Sequence, residues 1–191
     1  MTAAPIIQRA AQLRGHKLVL RDVTLDDAAF ILGLRLDPKK GAYLSATDGD
    51  LQQQIAWTQR YLEGSGQAYF VICDLEMNRL GTVRLYNAIG KSFSWGSWIV
   101  KDGAPASVAL ESALIVYRYA LDYLGFSAAH FEVDRHNTSV WAFHERFGAK
   151  RVRQSEVENF YEIGAAEIRA SLLRYGKFLP RSIEVLGLLP A

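Results

Sequence analysis

Cysteine is almost missing from this chain: Cys73 stands alone among 191 residues. No internal disulfide can form, and a reducing compartment is expected. Cys73 lies in the apolar run Tyr69-Phe-Val-Ile-Cys and reads as a small buried hydrophobe. Long basic runs are missing too, and the net charge is only +2, which speaks against nucleic acid as a partner. No apolar stretch suits a membrane span, because the longest apolar helical segment, 106–124, carries Glu111, Arg118 and Asp122. Residues 1–16 hold no apolar core of a signal peptide, so a cytoplasmic protein with no membrane partner is expected. Neither a Ser-His-Asp elbow nor a Cys/His spacing suited to a metal is present, and no metal is expected.

What is present is an ordinary globular composition, 50% hydrophobic and 22% charged, in a length that suits one domain. Residues 17–23 read as a strand, and Thr24-Leu-Asp-Asp27 as a capping box opening a helix that Asp37-Pro38 closes. Leu51, Ile55, Thr58 and Leu62 mark a second helix. Three strands at 67–73, 79–87 and 91–100 are joined by connections short enough for hairpins, so they should run antiparallel. The stripe from Ala109 to Leu124 is helical and stops at Gly125. A strand at 127–133, a helix at 138–147, a strand pair at 150–154 and 157–163 and a last helix to about 178 complete the order. This describes a single α+β domain with a core at 17–178, an N-terminal extension at 1–16 and a tail at 179–191. The strand-helix-strand unit between 91–100 and 127–133 calls for a parallel, right-handed crossover.

The most informative stretch is 131–148, where an alternating strand ends in an acidic turn, Asn137 stands where a helix cap belongs, and a helix then stops at Gly148. Its spacing of Glu132, Asn137, Val140, His144 and Gly148 resembles the closing motif of the GCN5-related N-acetyltransferases (GNAT), with His144 where that family usually has tyrosine. The resemblance extends over 17–163, and the early segment Lys17-Leu-Val-Leu-Arg21 is most similar to the RimJ/RimL-like branch. It implies a mixed, mostly antiparallel sheet flanked by helices on both faces, with the strands at 91–100 and 127–133 splayed apart. It also implies acetyl-CoA as co-substrate and direct attack by a primary amine in a ternary complex.

By the same resemblance, the backbone of Trp98, Ile99 and Val100 lies along the pantetheine arm, and Asn137 contacts the coenzyme. The pyrophosphate falls to the helix start at Ala106, Ser107, Val108 and Ala109. That segment departs from the family's Gln/Arg-x-x-Gly-x-Gly/Ala: Ala104 replaces the arginine, Ser107 the central glycine, and Pro105 removes an N–H. Glu132 takes the place of the base and His144 that of the acid that protonates the thiolate. A histidine with an ordinary pKa of about 6.5 suits that role, and a packed, hydrogen-bonded histidine is the competing reading. A glutamate of about 4.3 would act with a raised pKa or through a water.

On the acceptor side the resemblance places Tyr43, Trp57, Arg84, Tyr86, Trp95 and the loop 37–47. Aromatic rings there suit a sugar or base, and Arg84 suits a carboxylate or phosphate. The segment from Gly81 to Asn87, with Gly96-Ser-Trp98, looks like acetyltransferases that modify nucleotide-linked amino sugars, so the acceptor is read as a small-molecule amine. The alternatives are a protein N-terminal acetyltransferase, a longer acyl chain, and a non-catalytic scaffold that has lost the coenzyme. The aliphatic tail Ile183-Glu-Val-Leu-Gly-Leu-Leu189 is expected to pack on its own domain or on a second subunit, with a homodimer as the working expectation.

Overall fold

A computed structural model of the protein describes residues 3–43, 49–179 and 181–189. Its strands are β1 (Ala10–Arg14), β2 (Leu18–Asp22), β3 (Ala68–Asp74), β4 (Arg79–Ile89), β5 (Ser92–Val100), β6 (Ala128–Asp134), β7 (Lys150–Gln154), β8 (Glu158–Gly164) and β9 (Glu184–Leu188). The helices are α1 (Ala28–Arg35), α2 (Leu51–Glu63), α3 (Ser107–Arg118), α4 (Thr138–Phe147) and α5 (Ala165–Arg174). The strands form one sheet in the order β7-β8-β6-β5-β4-β3-β2-β1-β9. Every neighbouring pair is antiparallel except β5 and β6, which are joined through α3 and run parallel.

Both faces of the middle of the sheet are covered, and this explains the unbroken apolar run on β3. Ala68, Phe70 and Ile72 join the larger core with Leu114 and Tyr117 of α3 and Ile168 of α5. Tyr69, Val71 and Cys73 point the other way, into a smaller core with Ile31 of α1 and Tyr61 of α2. The box at the start of the first helix is formed: the Thr24 amide donates to Asp27 Oδ2 at 2.9 Å, and Arg21 donates to both carboxylate oxygens. Burial works to raise the Asp27 carboxyl, and the hydrogen bonds from Arg21 and Thr24 together with the Arg21 charge outweigh it, holding Asp27 below its ordinary value.

The sheet reaches beyond 17–178 on both sides. β1 pairs with β2 and with β9, so residues of both the N-terminal extension and the tail are strands of the sheet. Ile183 is buried, and the Tyr123 hydroxyl donates to its carbonyl at 2.6 Å. Val185 packs on the larger core from the tail strand, whereas Leu188 stays exposed.

Glu111, on α3, is 2% exposed and points at the turn between β1 and β2. One of its oxygens accepts the backbone N–H groups of His16, Lys17 and Leu18 at 2.7, 2.7 and 3.1 Å. Gly15 packs closely beside it: a Cβ there would lie 2.8 Å from Glu111 Oε1 and 2.6 Å from the end of Ile115, so one of these side-chain ends would have to shift. Replacing Glu111 by alanine strands these amides without a partner and is expected to cost about 3 kcal/mol, with Glu111→Gln recovering part of it. Denaturant unfolding of both variants checks this; a loss below about 0.5 kcal/mol in Glu111→Ala would show that the turn holds itself.

Candidate active site

The site begins with a fault in the sheet. β5 and β6 pair only at Ser92 with Ala128 and Phe93 with Ala129, and beyond these residues they separate. On the other side of β5, Thr82 pairs with Ile99 and Arg84 with Gly96, so Val83 alone faces two residues, Ser97 and Trp98. This is a β-bulge, and its extra residue leaves the regular ladder. Ser97 sits at φ 46°, in the left-handed region that a serine seldom adopts, and the Thr82 hydroxyl donates to its carbonyl at 2.9 Å. Residues three apart on a regular strand face opposite sides. The bulge instead brings Trp95 and Trp98 together, with ring centroids 5.2 Å apart.

Through the opening runs a cleft of about 390 Å³. Glu132, Asp134, Glu158 and Tyr86 line it together with Trp95, Trp98, Phe131 and His144. Alternation on β6 explains the two ends: Phe131 and Val133 belong to the larger core, while Glu132 between them is exposed on the other face. A second cleft of about 310 Å³ continues along Trp98, Ile99 and Val100 to Ala109, Lys39, Lys40 and Arg146. Tyr43, Trp98, Asn137 and Val140 line both clefts, so the two are halves of one slot.

His144 is 4% exposed and sits in an aromatic cage. The Phe131 ring lies 4.1 Å away, Trp95 5.1 Å, Phe143 5.8 Å and Trp98 6.2 Å, measured between centroids. Burial pushes its pKa down from 6.5 to about 3, and its Nδ1 is enclosed without a hydrogen-bond partner. This departs from the ordinary pKa expected from sequence, and also from the hydrogen-bonded alternative: His144 is neutral at physiological pH, and what it offers is the N–H of a neutral imidazole. Tyr117 supports the cage from below, where it accepts from Trp95 Nε1 at 3.3 Å; burial raises its phenol well above the ordinary value.

At the other end, burial and then the charge of Glu132 raise the Tyr86 phenol, which therefore stays protonated. Gly96 lies under Tyr86, where a Cβ would come within 3.0 Å of the phenol oxygen. Beside Tyr86, the Arg84 guanidinium lies 4.9 Å from the Trp57 ring and 5.0 Å from the Tyr86 ring, and it donates twice to Gln67 Oε1. Burial lowers the Arg84 pKa, although a guanidinium remains charged. Trp57 packs edge-on against Tyr69 at 5.6 Å; contrary to the expectation from sequence, neither Trp57 nor Arg84 lines the cleft, and of that cluster only Tyr86 does.

Asn137 stands at the N-cap of α4, but its side chain makes no capping hydrogen bond. Its carbonyl accepts from the amides of Val140 and Trp141, both at 3.2 Å, and its side-chain oxygen accepts from Ser139. The sequence-based expectation of a side-chain cap is therefore corrected, and Asn137 is left to line the slot. Of the four residues assigned to the pyrophosphate, Ala109 lines the second cleft, whereas Ala106, Ser107 and Val108 do not. Tyr43 lines both clefts; residues 44–47 of the loop assigned to the acceptor lie outside the described residues.

Sequence reading missed Asp134, Glu158 and Arg146; it quoted Gly96-Ser without the bulge, and it put the loop of Lys39 and Lys40 on the acceptor side, whereas both lysines line the second cleft. Gly-Ser inside an aromatic strand was the available sign of the bulge. Among the described residues there is no cluster that could hold a metal ion, and no helix is long and apolar enough to cross a membrane.

The family pattern described as "Acetyltransferase (GNAT) domain" matches residues 17–150. The chain belongs to the GNAT acetyltransferases and is an N-acetyltransferase. Among solved structures it resembles apo FdhC, described as a nucleotide-linked sugar GNAT, with 33% identity over 88% of this chain and 98% of that one and a TM-score of 0.78. Two more distant structures show the fold alone. A GCN5-related N-acetyltransferase from Brucella melitensis has 14% identity over 94% of this chain and 90% of that one, with a TM-score of 0.74. The spermidine N-acetyltransferase from Vibrio cholerae, in complex with CoA and spermine, has 18% identity over 80% of this chain and 98% of that one, with a TM-score of 0.68. The comparison with curated proteins gave no significant match.

Proposed function

We propose that the protein acetylates the primary amine of a small acceptor that also carries an anion, of the kind a nucleotide-linked amino sugar represents. The observation that carries this is the arrangement of charge around the acceptor end: three carboxylates line the mouth of the cleft, and Arg84, which does not itself line it, lies against Tyr86, which does. The carboxylates suit an ammonium group. Arg84 has an amide and two aromatic rings for neighbours, and suits a phosphate. The resemblance to a nucleotide-linked sugar GNAT supports the same acceptor.

Acetyl-CoA supplies the acyl group as a thioester when it is bound. The slot fits such a donor on two counts. The diverging strands leave the backbone of Trp98, Ile99 and Val100 along a cleft, and the bulge beside it removes a residue from the ladder. In this reading Glu132 takes the proton of the acceptor amine, directly or through one water, and His144 holds an N–H in a dry aromatic wall. Asn137 and Tyr43 lie where the two halves meet.

The test is a transfer assay with acetyl-CoA and three acceptors: a nucleotide-linked amino sugar, spermidine and an N-terminal peptide. The nucleotide-linked amino sugar is expected to give the highest kcat/KM. Arg84→Ala is expected to raise KM for that acceptor about tenfold, a charge-assisted hydrogen bond's worth, with little effect on spermidine. Faster turnover of spermidine would overturn the acceptor class, and preference for the peptide would favour the N-terminal acetyltransferase reading.

A further inference from the structure

The half of the slot assigned to the acyl donor contains three cations that the family motif does not supply. Lys39 and Lys40 follow α1, Arg146 lies in the last turn of α4, and all three line the 310 Å³ cleft beside Ala109. No carboxylate is among the described residues that line it. Neither Lys39 nor Arg146 has an ion-pair partner among the described residues. Lys40 crosses to β5: its Nζ donates to the Val100 carbonyl at 2.6 Å and pairs with Asp102 at 2.6 Å. Asp102 is exposed, at 64% of its side chain, and is held low by the Lys40 hydrogen bond and then by the charges of Lys40 and Lys39. The first turn of α3 carries no acidic side chain that would oppose an anion.

We propose that Lys39, Lys40 and Arg146 bind the phosphate groups of coenzyme A, replacing the charge that is missing at Ala104. The inference rests on the acetyl-CoA reading above. Three positive groups in one concave wall, against which Asp102 outside the lining sets a single negative charge, raise the local concentration of a polyanion. Arg146 can take a phosphate with two parallel hydrogen bonds, and the lysines act as point charges on flexible stems. Asp102 competes with the ligand for Lys40, so the two partners of this ion pair should act with opposite signs on affinity. A salt bridge that merely steadied the loop would give the same sign for both.

Calorimetric titration of the full chain with coenzyme A and with dephospho-coenzyme A tests the proposal. Lys40→Ala and Arg146→Ala are each expected to raise Kd about tenfold, Lys39→Ala somewhat less, and each should flatten the weakening of binding by salt. Asp102→Asn is expected to tighten binding about threefold, and Arg151→Ala, on exposed β7, to leave it unchanged. Losses confined to coenzyme A put the cations on the 3′-phosphate; losses shared with dephospho-coenzyme A put them on the diphosphate. Melting temperatures confirm that each variant is folded. Unchanged affinity in both Lys40→Ala and Arg146→Ala, or weaker binding in Asp102→Asn, overturns the proposal. Absence of binding to the unmodified protein is a separate result and removes the acetyl-CoA reading itself.

Discussion

Replacing His144 by phenylalanine is expected to lower kcat about 100-fold while making the protein more stable. The two effects have different origins. The imidazole Nδ1 is enclosed without a partner, a burden of about 1–3 kcal/mol that a phenyl ring removes while keeping the contacts with Phe131, Trp95 and Trp98. Catalysis loses an N–H donor in a wall that excludes water, where one preorganised donor to developing negative charge is worth about 10²–10³ in rate. His144→Tyr should recover much of the rate, since a phenol also donates. Full activity in His144→Phe would leave the residue with a packing role alone.

The same burial fixes a pH dependence. His144 has a folded pKa of about 3 against an ordinary 6.5. Between these values the unfolded chain binds more protons than the folded one, so stability falls as pH drops from 6.5 towards 3, by at most about 1.4 kcal/mol per unit. The phenylalanine variant lacks this penalty. Its melting-temperature advantage should therefore widen as pH is lowered from 7 to 4, and a constant advantage would mean that His144 is wetter than its surroundings indicate.

That environment marks the limit of what the chain discloses before it folds. Strands β3 to β6 and helices α3 and α4 follow from local periodicity and from the glycines that stop them. β1 and β9 do not, because each is a short strand at the end of the sheet with mixed burial and is defined by its partner. Glu132 and His144, assigned from the motif, and Trp95 and Tyr86, assigned separately from the resemblance, line one cleft. The state of His144 could not be reached in this way. It depends on Trp95 and Trp98 turning to the same side at a bulge, and on Phe131 from a strand that separates from theirs. The acidic mouth is equally non-local, since Glu158 joins Asp134 only through the pairing of β8 with β6.

Glu132→Gln is expected to lower kcat/KM by about 100-fold or more at neutral pH, with the melting temperature unchanged because the side chain is exposed. An acceptor amine is mostly protonated at that pH and must lose a proton before or as it attacks. Glu132 lies on β6 at the opening, and its charge acts on Tyr86, a phenol that lines the same cleft. The amide cannot take the proton, so the variant depends on amine already deprotonated in solution. Its deficit should shrink as pH rises towards the pKa of the acceptor. Asp134 is engaged by the amide and ring of His136, at 2.7 and 3.1 Å, and is the less available carboxylate. Glu158 lies across the mouth on β8, and Glu158→Gln is expected to raise KM by a few-fold through weaker attraction of the ammonium, leaving the pH profile in place. A reversal, with the pH-dependent loss in Glu158→Gln and normal turnover in Glu132→Gln, would transfer the base from β6 to β8.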